Sequence, residues 1–427
     1  MSNTASTQRR RSAPAASAAD RLPTSRGATV RAGFQPRPGR LGPVLLIRLI
    51  FLEAALALVL APILTGKTMW LAGTAPFAVL SVIGMLGGSK GRWLGQASQV
   101  RGEYRERREV RAGLPGGEAA LAPLRETYPG LRTSTLSSRN GEPVGMIGDG
   151  TFLTAVIRVA ARHEPLRDAR RTSPLPLGVV TSVLNDPQLS ASCVQIVTHT
   201  QPAPNQQLPP HALAVRSYQM LAGDVPAQRT IWVAVRMDPQ ECAMAIEARG
   251  GGVLGAQRSL LTLAQRVASE IEGAGFESML LSEPELISAL GIACVVNPMV
   301  GTAPGTTQTA RRTAESKRTW RCDDRWHTSY WVDRLPPLAG DTTPDLVAGL
   351  TGLPTLSTTL AVTATRGIGE AIGFSVHVRT SARSEAQLTE AAKALEQRAD
   401  KLGASLSRLD GEQLPGLIAT IPLGGQP

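Results

Sequence analysis

Two long apolar runs near the N-terminus constrain the fold of this chain more than any other feature. They cover residues 43–65 and 69–88, so each is about as long as the ~20 helical residues that cross ~30 Å of hydrocarbon. Only a short turn, 66–68, separates them. The pattern predicts a membrane protein with an N-terminal two-helix transmembrane hairpin over residues 43–88.

The basic charge is concentrated around these apolar runs. The chain has a net charge of +11, yet residues 1–111 hold 17 Lys and Arg against 5 Asp and Glu, which leaves the rest close to neutral. Such flanking charge is typical of a membrane surface and argues against a nucleic-acid-binding domain. Because the basic residues lie at the outer ends of the hairpin, the positive-inside rule predicts a multi-pass protein of the cell membrane with both termini cytoplasmic.

Two charged residues interrupt the first apolar run. Arg48 lies near its N-terminal end, where a long side chain can reach the interface, whereas Glu53 lies about midway. A carboxylate that faces lipid is costly, so Glu53 is expected to meet a polar group of a partner helix. Arg48 and Glu53 are therefore the candidate residues for subunit contact.

The rest of the chain divides by composition. Residues 1–42 are rich in Ser, Ala, Arg and Pro and are expected to form a disordered basic arm. Residues 89–120 include charges that alternate at helical spacing and predict a charged helical linker. Residues 121–427 alternate strand-like runs with amphipathic helices, which predicts a large mixed α/β cytoplasmic domain. The sequence leaves open whether this part forms one domain or two.

Within that domain, a strand, a capping signal, a helix and a glycine follow one another twice, which suggests a weak internal repeat. The capping signals are Asp238 with Glu241 and Ser384 with Gln387. A tryptophan-rich segment at 318–337 predicts a β-hairpin with large side chains packed across its strands. Strand patterns occur at 151–160, 192–200, 230–237 and 373–380.

Neither the glycines nor the cysteines form a recognisable chemical motif. Residues 250–252, three consecutive glycines, lie between two helices and lack the spacing of a dinucleotide-binding or P-loop motif, so they predict a tight turn. The cysteines have no CxxC pair and are expected to be buried thiols in a reducing compartment, although disulfides stay possible. They are Cys193, Cys242, Cys294 and Cys322.

One acidic pair could carry chemistry. Asp323 and Asp324 beside His327 could form a metal site or the acidic pair of a sugar-nucleotide enzyme. Ion pairing with the neighbouring Arg321 and Arg325 is the favoured interpretation. The histidines show no metal-ligand spacing. We therefore expect no catalytic, cofactor-binding or metal-binding residues.

Taken together, these features resemble the EccE component of actinobacterial type VII secretion systems. The segments that carry the resemblance are moderately specific one by one and specific only in combination. They are the paired apolar runs, VGMIGDGTFLTAVIRV at 144–159, RTIWVAVRMDPQECAMAIEARGGG at 229–252 and ESKRTWRCDDRWHTSYWV at 315–332.

The resemblance implies a non-enzymatic subunit of an inner-membrane secretion machine. Such a subunit would assemble with EccB, EccC and EccD and would anchor and stabilise the complex through its hairpin and cytoplasmic domain. Anionic lipid headgroups at the basic flanks are further expected partners, whereas nucleic acid and cofactors are not. The alternative is a membrane-tethered glycosyltransferase-like enzyme acting near the bilayer, because the α/β pattern and the acidic pair also fit that class.

Overall fold

Two tandem copies of one strand and helix arrangement share a single sheet in this protein. The structure is a computed structural model. It describes residues 32–34, 94–109, 120–161, 175, 177–186, 189, 191–202, 228–297, 300, 311–336, 343–366 and 371–425, and positions 53, 56, 57, 60 and 66.

The two copies contain similar elements in the same order. A short strand β1 (Ala32–Phe34) and helix α1 (Leu94–Glu109) precede them. The first copy contains α2 (Ala122–Thr127), β2 (Arg132–Ser137), β3 (Pro143–Gly148), β4 (Leu153–Ala161), α3 (Leu177–Thr181) with a 3-10 turn (Ser182–Asn185), β5 (Cys193–Gln201), β6 (Gln228–Met237), α4 (Ala243–Glu247), α5 (Gly252–Gly273), β7 (Phe276–Leu280) and α6 (Glu283–Ala293). The second copy contains β8 (Thr313–Glu315), β9 (Trp320–Cys322), β10 (Arg325–Arg334), α7 (Thr343–Thr351), β11 (Ser357–Arg366), β12 (Ile372–Ala382), α8 (Glu385–Lys401), β13 (Ser405–Arg408) and α9 (Gln413–Ile418).

The order of the strands shows the duplication. The main path of the sheet runs β2-β3-β4-β6-β5-β11-β12-β10-β9-β8, so each copy has the same order from the outer edge to the centre. The copies join where β5 pairs antiparallel with β11. In the first copy β4 pairs with both β6 and β7, and in the second β10 pairs with both β12 and β13. Each long helix thus connects two strands that are separated by a third, which is a split β-α-β arrangement.

The long helix of each copy ends at a glycine. The φ angle is 91° at Gly275 and 73° at Gly403, a left-handed conformation that glycine adopts without a Cβ clash. Each glycine lets the chain leave the helix and enter β7 or β13 immediately. The weak repeat suggested by the sequence is therefore a duplicated topology.

Helices cover both faces of the sheet. On one face α5 packs against residues such as Val233, and α7 and α8 pack against residues such as Val378. On the other face α2, α6 and α9 pack around Trp232, Ala361 and Trp320. The second face carries the final helix of each copy, and most of the buried polar residues described below lie there.

The prediction of an N-terminal transmembrane hairpin is wrong for the structure described. No helix among the described residues is both long and apolar enough to cross a membrane. Most of residues 43–88 lie outside the described part of the chain. Apolar length is a necessary property of a transmembrane helix, but it does not identify one by itself, even with basic flanks.

The predicted mixed α/β domain is corrected to a largely antiparallel sheet covered by helices. The strand and helix alternation exists, but the strand after each long helix pairs with a strand earlier in the chain and not with the strand before the helix. The single parallel pair among the described strands joins β1 to β12. Hydrophobic periodicity identifies a helix or a strand, whereas the order of the strands depends on contacts between residues distant in sequence. Periodicity therefore could not distinguish a mixed α/β sheet from a largely antiparallel one.

The predicted charged helix is confirmed as α1, and it is fixed to the second copy. Glu103 and Arg107 form the expected pair four residues apart, with 3.8 Å between Arg107 Nη1 and Glu103 Oε2. Arg107 also donates from Nε to Glu315 Oε2 at 3.3 Å and from Nη2 to the Gly411 carbonyl at 2.7 Å. The contacts of Arg107 therefore hold α1 beside β8 and α9.

One of the two predicted capping signals is confirmed. At the start of α8 the hydroxyl of Ser384 accepts a hydrogen bond from the backbone N–H of Gln387 at 3.3 Å. The box of Asp238 and Glu241 is wrong, because α4 begins only at Ala243. The Asp238 carboxylate instead accepts a hydrogen bond from the backbone N–H of Gln240 at 2.9 Å, so it stabilises a turn after β6.

Candidate functional site

A buried arginine lies on the second face of the sheet, close to where the copies meet. Arg379 of β12 is 1% exposed. Its Nε donates to Thr420 Oγ1 at 2.7 Å, its Nη1 lies 3.0 Å from His327 Nδ1, and its Nη2 donates to the Ala293 carbonyl. Burial lowers the pKa of Arg379 to about 10, so the guanidinium stays charged at neutral pH. None of the groups that accept hydrogen bonds from the Arg379 guanidinium among the described residues is a carboxylate.

Helix ends stabilise this isolated charge. Ala293 is the last residue of α6, and its carbonyl is one of the groups that a helix C-terminus leaves without an internal partner. Thr420 follows α9, and its hydroxyl also contacts the Gly416 and Leu417 carbonyls at 3.0 and 2.8 Å. The C-terminal ends of helices carry partial negative charge, which favours a nearby cation. Arg379 therefore ties together the final helices of the two copies.

His327 completes the cluster as a neutral acceptor. Arginine has only donors, so Nδ1 of His327 must accept and the ring proton must lie on Nε2. Burial, with further contributions from Arg379 and Arg325, lowers the pKa of His327 well below its ordinary value. The ring packs against Trp320 with 5.1 Å between centroids. These contacts hold the His327 ring in the protein interior.

A second cluster surrounds Asp323 in the turn between β9 and β10. Arg312 binds its carboxylate in a bidentate way, with Nε–Oδ1 and Nη2–Oδ2 distances of 2.7 and 2.8 Å. The backbone N–H of Asn297 donates a hydrogen bond to Asp323 Oδ2 at 3.1 Å. Asn297 follows the last helix of the first copy, so Asp323 also joins the two copies. Its φ of 54° is tolerated because Asp is among the few residues that enter the left-handed region.

The neighbouring aspartate is exposed but also has partners. Asp324 accepts from Asn297 Nδ2 at 2.9 Å and lies 3.2 Å from Arg325 Nη1. The predicted pairing with Arg325 is confirmed, whereas the predicted pairing with Arg321 is not seen. Arg321 lies instead over the Trp326 ring, 5.8 Å from its centroid. The predicted hairpin of this segment is confirmed by the antiparallel pairing of β9 with β10.

A buried glutamate forms a third junction. Glu126 of α2 accepts hydrogen bonds from the Arg312 and Thr313 amides at 3.0 Å and from the Thr313 hydroxyl at 2.9 Å. The carboxylate is satisfied by donors at the start of β8, as a buried charge must be. It connects the first helix of the first copy to the first strand of the second.

Sequence reasoning missed Arg379 and Glu126. Arg379 lies in the strand VHVRTSA on the same face as His377, and two polar residues on one face are equally typical of an exposed face, so the local sequence does not mark Arg379 as buried. Glu126 sits in a short, mainly apolar helix, and its partners are 186 and 187 residues away, so no local signal could indicate them.

These clusters use their charged groups for internal contacts. The described part of the chain contains no group of three or more His, Cys, Asp or Glu residues that could hold a metal ion. The predicted buried thiols are confirmed for all four cysteines. Burial raises the pKa of Cys294 to about 11 and that of Cys193 to about 12, so both are protonated at neutral pH. The charged clusters and the buried thiols therefore contribute to the stability of the fold.

The remaining predicted positions lie elsewhere. Glu53 is helical and exposed, and Arg48 lies outside the described residues. Residues 250–252 form the predicted tight turn after α4, with φ angles of 105°, 67° and 58°, and Gly252 is the first residue of α5.

Comparison with known proteins identifies one family. Residues 225–332 match the family described as "Putative type VII ESX secretion system translocon, EccE". The match confirms the resemblance drawn from the sequence over the part that runs from β6 into β10. No curated protein sequence matches the chain.

Solved structures add nothing to the assignment. An alkyldihydroxyacetonephosphate synthase aligns with 61% of this chain at 7% identity and a TM-score of 0.27. The alignment spans only 41% of that protein. Similarity at this level carries no argument about fold or activity.

Proposed function

We propose, from the match of residues 225–332 to the EccE family, that this chain is a non-catalytic subunit of a type VII secretion translocon. That match is the single observation that carries the proposal. The role we assign is to hold other subunits in place.

The geometry of the matched segment supports a structural role. It contains α6, with the Ala293 carbonyl that Arg379 binds, and it contains Asn297, Arg312 and Asp323. These groups join the first copy to the second through bonds within the chain. A segment whose charged groups are bonded in this way is suited to keeping two halves of a platform in a fixed relation.

The partners we propose are EccB, EccC and EccD, with association at the cytoplasmic side of the cell membrane. Residues 121–427 would form the cytoplasmic domain, and anionic lipid headgroups would contact the basic residues before it. Arg48 and Glu53 stay proposed contacts with other subunits. Exposure of Glu53 in the structure is compatible with such a contact.

Copurification tests the proposal. The chain, tagged and expressed at its natural level in a cell with a type VII system, is extracted with mild detergent and captured. We expect EccB, EccC and EccD in fixed proportion, and we expect secretion to stop when the chain is deleted. Recovery of the chain alone, with secretion unchanged after its deletion, would refute the assignment.

A further inference from the structure

The two outer strands of the sheet differ in how their free edges are covered. β8 has 3 residues, and the Glu126 carboxylate accepts from the amides of Arg312 and Thr313 at this edge. Exposed Arg311 and Lys317 flank the strand. Natural sheets use short strands, charges and covering groups in this way to prevent an added strand from pairing.

β2, the corresponding strand of the first copy, lacks these features. It has 6 residues, RTSTLS, with no proline and one charged residue at its start. Gly145 lies opposite Thr135 but donates its N–H to the Leu281 carbonyl at 2.8 Å. The two residues therefore form a non-hydrogen-bonded pair, in which the backbone groups of each strand point away from the other.

The same alternation extends along β2. Ser137 lies opposite Pro143, which has no N–H to donate, and Thr133 lies two residues before Thr135. The N–H and C=O groups of Thr133, Thr135 and Ser137 consequently face outward. Within the described part of the chain, no strand or side chain pairs with these amides.

A carboxylate lies beside the outer edge of β2, on the face of the sheet that α6 covers. Glu283, at the start of α6, accepts a hydrogen bond from the Thr135 hydroxyl. Bonds from Thr133 and Thr135 lower the pKa of Glu283, so it is ionised at neutral pH. Glycine at position 145 allows the Glu283 backbone to lie this close to β3, because a Cβ at that position would lie only 2.6 Å from it.

The charge of Glu283 disfavours a second copy of this chain as the added strand. Symmetric antiparallel pairing centred on β2 would place Thr135 opposite its counterpart, with side chains about 5 Å apart on one face. Each Thr135 carries its own Glu283, so two carboxylates would approach each other across the pair. A basic side chain at that position would instead be attracted.

We propose that the outer edge of β2 accepts an extended segment of another polypeptide as an added strand, with Lys or Arg opposite Thr135, where it reaches Glu283. Main-chain hydrogen bonds to Thr133, Thr135 and Ser137 supply the attachment, and the ion pair supplies the preference for a basic residue. The inference rests on strand geometry and is independent of the family assignment.

Two peptide probes test this site on the full chain. One is a nine-residue threonine peptide with a central lysine, and the other has glutamate in place of the lysine. Hydrogen–deuterium exchange of residues 132–138 is followed as each peptide is titrated. We expect the lysine peptide to slow exchange there at about fivefold lower concentration, because opposite charges across strands attract and like charges repel.

Two variants separate the main-chain and charge contributions. Thr135→Pro removes an outward N–H that the fold does not use, so it should abolish protection by both peptides, while Thr135→Ala should not. Glu283→Gln should bring the two peptides to equal effect, which decides the charge prediction even if the proline variant does not fold.

Three results would overturn the proposal. The first is that neither peptide slows exchange at 132–138. The second is protection of these amides that grows with protein concentration alone, which would indicate self-association. The third is full protection in the dilute chain without peptide, which would mean that another part of the same chain already covers the edge.

Discussion

The two adjacent aspartates of the β9–β10 turn should differ strongly in their contribution to stability. The Asp323 side chain is 1% exposed and its partner Arg312 is 9% exposed, whereas the Asp324 side chain is 55% exposed. Asp323→Asn removes the charge of the carboxylate that binds the buried Arg312 guanidinium in a bidentate way, and breaking a buried pair costs about 3–5 kcal/mol. Asp324→Asn keeps an acceptor for Asn297 and should cost about 0–1 kcal/mol.

Urea unfolding of the full chain, followed by tryptophan fluorescence, measures both changes. Trp320 and Trp331 are buried in the strands beside this turn and should report its loss. Asparagine tolerates the left-handed conformation at position 323, so the backbone does not confound the comparison. Equal losses for the two variants, or a loss below about 1 kcal/mol for Asp323→Asn, would refute the reasoning.

Three further predictions follow from other parts of the structure. Gly145→Ala should lower the free energy of unfolding by about 1–3 kcal/mol because its Cβ would meet the Glu283 backbone, while Gly102→Ala in α1, with open space around it, should not destabilise; urea titration compares them. Burial lowers the pKa of His199 from 6.5 to about 3, so its neutral form stabilises the fold above pH 6.5 and this contribution is lost as the pH falls towards 3. At pH 5.5 the loss is on the order of 1 kcal/mol, and His199→Gln should flatten the pH dependence of thermal unfolding over that range; an unchanged slope would contradict it. Glu53→Gln should reduce the recovery of partner subunits per molecule of extracted chain, and equal recovery would remove Glu53 as a contact residue.

The sequence identified many of the individual elements. Short strand-like apolar runs predicted β4, β5, β6 and β12 within a few residues, because a strand covered by helices on both faces is buried at consecutive positions. Local signals also placed the helix that ends before Gly275 and the start of α8 at Ser384. These features depend on neighbours within a few positions.

The contacts that assemble these elements were not predictable in the same way. Arg379 meets Ala293 and Thr420, which are 86 and 41 residues away in sequence. Asp323 was correctly predicted to be ion-paired, but its partner Arg312 lies beyond the segment considered for pairing. The transmembrane hairpin failed for a different reason, since it relied on apolar length and basic flanks, which are properties of the sequence and not contacts.

Secretion per assembled molecule, measured in cells that carry only the Asp323→Asn variant, distinguishes a structural role of the buried polar clusters from a catalytic one. If the buried polar clusters only stabilise the fold, the variant should lower the amount of folded chain in the translocon and lower secretion in proportion. Secretion normalised to copurified complex should then equal that of the unmodified chain. Normalised secretion that falls while folding and assembly stay intact would show that Asp323 acts in chemistry, and it would contradict the scaffold role.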